Sequence, residues 1–290
     1  MSEPAEVTPE LLRTMPLPFP ASDSDKEARG RVLVVGGSSQ VPGAVRLAGE
    51  AALRAGAGKL QMATLGSLTA QLGLLVPEGR VFSLEEQDGE IAPDSVTAAI
   101  GDFVTKCDAL LIGPGMIAKS PACAVTERLL ETKGPGFVID AAAMAACWAQ
   151  PQLVRRHEGR IILTPHAGEM AGLTGQPKED VAADPLAAAR KAAAELGAVV
   201  MIKGELTVIA HPDGRGWLHH GHAVGLATSG SGDVLSGVIA GLLARKAAPE
   251  VAALWGVWLH QQAGVALTHK VGPLGFLARE LPGEIPRLLS

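Results

Sequence analysis

The sequence predicts an α/β protein with a mostly parallel central sheet covered by helices on both faces, and three observations carry that prediction. Short apolar runs of strand length alternate with helical patterns along most of the chain. The runs are continuously apolar, as strands buried on both faces are. Polar and glycine-rich clusters follow them directly, where an open parallel sheet places its ligands.

Residues 1–30 stand outside the alternation and read as an N-terminal extension, with residues 31–290 as a single domain. The extension holds a short helical pattern over 9–15, the connector PLPFP and a charged turn. It is expected to pack across the outside or onto a neighbouring subunit. The domain opens with a strand over 31–35 that ends in Gly36-Gly37-Ser38-Ser39. Gly43 then starts a helix in which Ala44, Leu47, Ala48, Ala51, Ala52 and Ala55 recur at three- and four-residue spacing, and 56–58 stop it. Further strands are expected over 59–64, 80–84, 109–112, 137–139, 161–163 and 199–202, with helices over 69–76, 95–103, 121–132, 142–148 and 184–196. After Lys203 the period changes. Runs at 207–210 and 216–219 form a hairpin through Asp213-Gly214. From Gly232 onward the chain reads as helical, over 233–245, 249–268 and a short segment at 274–279.

Composition bounds the function classes. The chain has 290 residues, 47% apolar but only 3% aromatic with no Tyr, so Ala, Leu and Val must fill the interior and allow layers to approach closely. A net charge of −5 without a basic tract argues against a nucleic-acid partner. Cys107, Cys123 and Cys147 lack CxxC or zinc spacing and read as buried thiols of a reducing compartment. The mean hydropathy of +0.24 raises the question of a membrane span. The best candidates, 234–244 and 251–259, are too short and are separated by Arg245, Lys246, Pro249 and Glu250. With no apolar leader at the N-terminus, a cytoplasmic protein is expected.

The run ATSGSGDVLSG over 227–237 organises the rest. Gly230, Ser231 and Gly232 sit at the mouth of a helix, where the first amides lack partners and the helix dipole is positive, so an anion can approach bare backbone. Asp233 at that lip has two readings: a first-turn capping carboxylate, or a base that takes the proton of a hydroxyl attacking a phosphoryl group. The loops Gly36 to Ser39, Gly113-Pro114-Gly115, Asp140, Thr164 to Glu169 and Lys203-Gly204 all follow strands and converge on the same crevice. In TPHAGE, His166 and Glu169 either face one site or belong to a cap built on Thr164. Lys203 either meets a phosphate or pairs with Glu205 or Asp213. His219, His220 and His222 lack ligand spacing and favour a loop or base-contacting role over a metal. Trp255 and Trp258 read as core; His260 either reaches the ligand or packs.

GRVLVVGGSS, GAVRLAGEAALRAGAG, LLIGPG, VIDAAAM, ILTPHAGEM, VVMIKGELTVIA and ATSGSGDVLSG together resemble the ADP/ATP-dependent NAD(P)H-hydrate dehydratases, in the stand-alone form and with a ribokinase-like fold. The likeness spans nearly all of the chain from Gly30 onward. It implies ADP- or ATP-dependent dehydration of hydrated NADH or NADPH through a phosphorylated intermediate. By motif, Asp233 would be the base and Gly230, Ser231 and Gly232 the anion hole. Ala44, Gly115, His166 and Asp233 would contact the hydrated dinucleotide. Lys203, Gly204, Glu205, Leu206, Thr207 and Gly232 would hold the nucleotide, with Mg²⁺ near Glu169 through water. A homo-oligomer, commonly a tetramer, is also implied. Two departures stand out: Ala142 replaces a second carboxylate often found after the VID strand, and His222 stands where Asn is common. A small-molecule kinase of the same fold, acting on a hydroxymethylpyrimidine, thiazole or sugar alcohol, is the second reading. A nucleotide-binding protein without turnover is the third.

Overall fold

The chain folds around a ten-stranded sheet with helices packed on both of its faces. The structure, a computed structural model, describes residues 3–19 and 26–289. In chain order the strands are β1 (Ala5–Glu6), β2 (Arg31–Val35), β3 (Lys59–Leu65), β4 (Gly79–Leu84), β5 (Glu86–Gln87), β6 (Glu90–Ile91), β7 (Ala109–Ile112), β8 (Gly136–Ile139), β9 (Ile161–Leu163), β10 (Val199–Ile202), β11 (Leu206–Ala210) and β12 (Gly216–His220). Across the large sheet they run β1-β12-β11-β10-β9-β8-β7-β2-β3-β4, parallel from β10 to β4, with β11 and β12 added as an antiparallel hairpin. β5 and β6 form a separate small hairpin.

The helices are α1 (Pro9–Thr14), α2 (Ala44–Arg54), α3 (Thr69–Leu75), α4 (Pro93–Val104), α5 (Lys119–Leu130), α6 (Ala145–Ala149), α7 (Pro151–Arg155), α8 (Ala167–Thr174), α9 (Lys178–Ala183), α10 (Pro185–Leu196), α11 (Ser231–Ala244), α12 (Pro249–Lys270) and α13 (Leu281–Leu288). One core layer lies under α2, α11, α12 and α13; the other lies under α4, α5, α6, α7 and α10. Small residues make the first layer tight. A Cβ added at Gly237 would fall 2.3 Å from the Ala48 carbonyl oxygen, and one at Gly241 would fall 2.4 Å from that of Ala52. α11 therefore lies backbone to backbone on α2, which is why the interior is built from Ala and Gly rather than aromatics.

The chain leaves β2 toward β3 and β4, then returns to the other side of β2 to lay down β7 through β10. β2 and β7 thus flank the topological switch point, the place where such sheets open a crevice. The loops after these strands interlock there: Gly37 N–H donates to the Pro114 carbonyl at 2.7 Å. Gly115, in the left-handed region at φ +73°, leaves only 2.9 Å between its would-be Cβ and that of Ala44.

Several expectations are corrected. The last helix is α13, not 274–279, and only the single turn Ala278–Glu280 overlaps the expected span. The helix expected over 142–148 divides into a tight turn, Ala141–Met144, and α6. The N-terminal segment packs across the outside of its own chain, the first of the two placements expected for it. β1 pairs in parallel with β12, and Trp255 Nε1 donates to the Met15 carbonyl at 2.8 Å. Trp255 and Trp258 are half-buried, stacked edge to face at 5.7 Å, and form the shoulder on which that segment sits. Cys107 and Cys147 are buried, whereas Cys123 is partly exposed. The charged turn after PLPFP falls largely on residues 20–25, outside the described residues. Among the described residues, no helix is long and apolar enough to cross a membrane.

Candidate active site

Lys203 extends β10 past its last strand residue. Its N–H donates to the Pro165 carbonyl at 2.8 Å, and it bridges His166 in parallel fashion. Its Nζ lies 2.9 Å from Oδ1 of Asp140, a residue only 4% exposed; the same oxygen accepts from Thr164 Oγ1 at 2.9 Å. The loops after β8, β9 and β10 are thereby tied to one buried carboxylate. Neither of the acids expected as partners plays that part: Asp213 pairs with Arg215 at 2.8 Å. The Lys203 ammonium titrates above its ordinary value; burial works to lower it, and the facing Asp140, Glu169 and Asp233 outweigh burial.

The mouth of α11 begins at Gly230, held at φ +88° with a would-be Cβ 2.6 Å from Leu47 Cδ1. Only glycine fits that conformation and that space. Ser231 N–H donates to the Thr228 carbonyl at 3.2 Å, and Val234 N–H to that of Gly230 at 3.1 Å. The amides of Gly232 and Asp233 make no hydrogen bond among the described residues, so two bare donors remain at the positive end of a 14-residue helix. Lys203 sits over them: a Cβ on Gly232 would lie 3.5 Å from its Nζ. Burial, and then the charge of Asp140, push the Asp233 carboxyl up to about 7, with Lys203 opposing them. A carboxylate with that value takes a proton at neutral pH far better than an ordinary aspartate does.

His166 is the N-cap of α8, two residues beyond the position considered for Thr164. Its Nδ1 accepts from Glu169 N–H at 3.1 Å, and Glu169 Oε2 accepts from His166 N–H at 2.8 Å, a closed capping box. The first of these bonds leaves the ring proton on Nε2. Glu169 Oε1 makes no hydrogen bond among the described residues.

A cavity of about 800 Å³ opens beside these groups. Lys203, Gly204, Glu205, Thr207, Ser231, Gly232 and His166 line its polar side; Val224, Leu226, Leu235 and Val257 line an apolar side. Lys203 is the one Lys or Arg among its lining residues. His166 also lines a second cavity, of about 410 Å³, together with Glu169 and Ala142. Of the expected site residues, Leu206 lines neither cavity and packs against the core as the first residue of β11. Ala44 and Gly115 meet at the switch point, and Asp233 stands behind Gly232 beside Lys203.

The sequence profile of the NAD(P)H-hydrate dehydratase family matches residues 32–287. The chain belongs to the NAD(P)H-hydrate dehydratase family. An ADP-dependent (S)-NAD(P)H-hydrate dehydratase of Xanthomonas campestris pv. campestris is 48% identical over 286 residues, covering 98% of this chain and 96% of its own. The crystal structure of the ADP/ATP-dependent NAD(P)H-hydrate dehydratase from Bacillus subtilis, co-crystallised with ATP/Mg²⁺, superposes with a TM-score of 0.82 at 31% identity, covering 99% of this chain and 98% of that one. The fold is accordingly the expected ribokinase-like one. A hydroxyethylthiazole kinase from Pyrococcus horikoshii OT3 has a TM-score of 0.58 at 14% identity, covering 96% of this chain and 92% of its own; it shares the fold alone. The loops after β8, β9 and β10 thus meet the mouth of α11 around Lys203, while those after β2 and β7 meet each other at the switch point. Two contributors had no legible signal: the apolar wall of the larger cavity, drawn from three separate segments, and the role of Asp140 and Thr164 as the anchor of Lys203.

Proposed function

We infer that this chain dehydrates hydrated NADH or NADPH, with ADP or ATP as phosphoryl donor. The observation that carries the reading is Asp233, poised to titrate at about 7 beside the two bare amides of α11 and the Lys203 ammonium. The adenine nucleotide would lie in the 800 Å³ cavity, its base against the apolar wall and its terminal phosphate toward the Gly232 and Asp233 amides. The Asp233 carboxylate takes the proton of the substrate hydroxyl as its oxygen bonds to the terminal phosphorus. The phosphorus–oxygen bond to the remainder of the nucleotide breaks as that bond forms. The amides and Lys203 stabilise the charge that spreads over the transferring group. The C–O bond of the new phosphate ester then breaks, driven by the lone pair of the ring nitrogen. Loss of a proton from the neighbouring carbon restores the dihydronicotinamide.

Mg²⁺ suits the donor set. Among the described residues, no group of three His, Cys, Asp or Glu side chains forms a ready-made cage. A nucleotide-bound Mg²⁺ keeps several waters and needs only one or two carboxylates, and Glu169 has Oε1 available for a water. When bound, the ion would neutralise donor phosphate charge. The resemblance further supports a cytoplasmic homo-oligomer, a tetramer, which light scattering on the purified chain would test. Incubation with hydrated NADH or NADPH, Mg²⁺ and either ADP or ATP should restore the absorbance of reduced nicotinamide. Absence of recovery with every combination would refute the reading. A stable phosphorylated product that does not eliminate would favour a kinase instead.

A further inference from the structure

Ser231 is the first residue of α11, and its amide is already committed to Thr228. Whatever it offers an anion at the helix mouth must therefore come from its side chain. Oγ lies 3.0 Å from Nε2 of His260, which projects from α12. The two residues are 5% and 6% exposed, and both line the 800 Å³ cavity. Burial pushes the His260 ring down to about 4, with the Ser231 backbone opposing and Lys203 adding to the effect, so the imidazole is neutral across the working range.

A neutral imidazole can meet a hydroxyl in two ways. If Nε2 accepts, the serine proton is drawn into the protein and the cavity sees only lone pairs, which repel a phosphate. If Nε2–H donates, Oγ is the acceptor, and its own proton is left to turn toward the cavity. The second arrangement also polarises the hydroxyl, because a donor–acceptor chain strengthens each of its links. An anion at the mouth of α11 selects it on electrostatic grounds.

We propose that His260 is a positioning residue: its Nε2–H donates to Ser231 Oγ and aims the serine hydroxyl at the transferring phosphoryl group, as a third donor beside the Gly232 and Asp233 amides. The proposal rests on the reading of the α11 mouth as the phosphoryl site. It gives Ser231 a part through its hydroxyl rather than its backbone. It also gives the buried His260 an electrostatic task that acts through Ser231.

The test uses the full chain with Ser231→Ala, His260→Leu, the double variant and His260→Gln, whose side-chain amide can replace the ring N–H. Turnover of hydrated NADH with ADP or ATP, and binding of ADP, ATP and adenosine, are measured for each, with thermal melts as the fold check. Ser231→Ala and His260→Leu should each lower kcat by roughly tenfold to a hundredfold, the scale of one lost donor to developing charge. The double variant should be no worse than Ser231→Ala alone, His260→Gln should recover most of the rate, and adenosine affinity should not move. Additive losses, a Gln variant no better than Leu, or weakened adenosine binding would each overturn the proposal, the last by making His260 a base contact. If His260→Leu fails to fold, the imidazole ¹⁵N shifts of the unaltered protein with ADP bound decide the matter. A protonated Nε2 is expected; a proton on Nδ1 overturns it. An unaltered protein that binds ADP or ATP but transfers no phosphoryl group refutes the functional reading and this inference together.

Discussion

Replacing Asp233 by Asn should abolish most turnover and, at the same time, stabilise the fold. Burial and the charge of Asp140 raise this carboxyl from 3.8 to about 7 in the folded protein. The unfolded chain ionises near the ordinary value, so between those two limits the folded state holds a proton that the unfolded state has released. The stabilising effect of that proton is complete below the unfolded value and is lost as pH rises through about 7. At pH 8 the folded protein bears the whole cost of a charged Asp233, about 4 kcal/mol at 1.36 kcal/mol per pKa unit. Asn keeps the side-chain volume and removes the charge, but it also takes one anion from the surroundings of Lys203. The net gain at pH 8 should thus be about 2–4 kcal/mol, or about 3–6 °C in Tm for a chain of this length. The gain should shrink steadily toward pH 4. Meanwhile kcat should drop roughly a hundredfold or more, as loss of a general base does. Thermal melts at pH 4, 6 and 8, with recovery of reduced-nicotinamide absorbance as the rate assay, read both effects. An Asn variant that melts no higher than the unaltered protein at pH 8, or turns over within tenfold of it, would refute the account of Asp233 as a buried base.

Lys203→Met leaves Asp140 buried without its cation, so denaturant melts should show a loss of about 3–5 kcal/mol. The same change removes the group that lowers the Asp233 value, so the acid limb of residual kcat/KM should move above about 7. Gly230→Ala puts a Cβ at φ +88°, 2.6 Å from Leu47 Cδ1, and should cost about 1–3 kcal/mol in thermal stability while weakening ADP binding. Burial pushes the thiol of Cys123 up to about 11 and that of Cys107 up to about 12, and raises Cys147 further still. At pH 8 a thiol reagent should therefore modify only the partly exposed Cys123 in the folded chain, slowly, and all three after unfolding.

The buried parallel strands were legible because continuous apolar runs have few other uses: β2, β7, β9 and β10 coincide with the expected spans, and β3, β4 and β8 differ by one residue. β1 was not legible. Two exposed residues pairing with β12 carry no periodicity, and only the tertiary edge defines them as a strand. The C-terminal helix was misplaced because Pro282 and Pro286 argue against a helix over 281–288. Pro282 falls in the first turn, where its missing N–H costs nothing, and burial of Leu281 and Ile285 offsets the single bond lost at Pro286. The partner of Lys203 was unreadable for another reason. Asp140 is 63 residues away, and only the adjacency of β8, β9 and β10 brings the two side chains together.

The two departures from the family pattern line separate cavities. Ala142 lines the smaller cavity with Glu169 and His166 and does not line the larger one. A carboxylate there would add charge beside Glu169, which already acts on Lys203. His222 lines the larger cavity, its N–H directed at Gln261 Oε1 at 3.4 Å, and makes no hydrogen bond to Asp233 or the Gly232 amide among the described residues. A nucleotide-binding relic without turnover has no need to hold an acid near neutrality at a cost to its own stability. Here Asp140 is bound by Lys203 and Thr164, and burial, with the charge of Asp140 adding to it, raises Asp233 toward neutrality. Burial and the charge of Asp140 thus raise the proton affinity of Asp233 while Lys203 holds it in check, a balance that the proposed proton transfer would use and nucleotide binding alone would not.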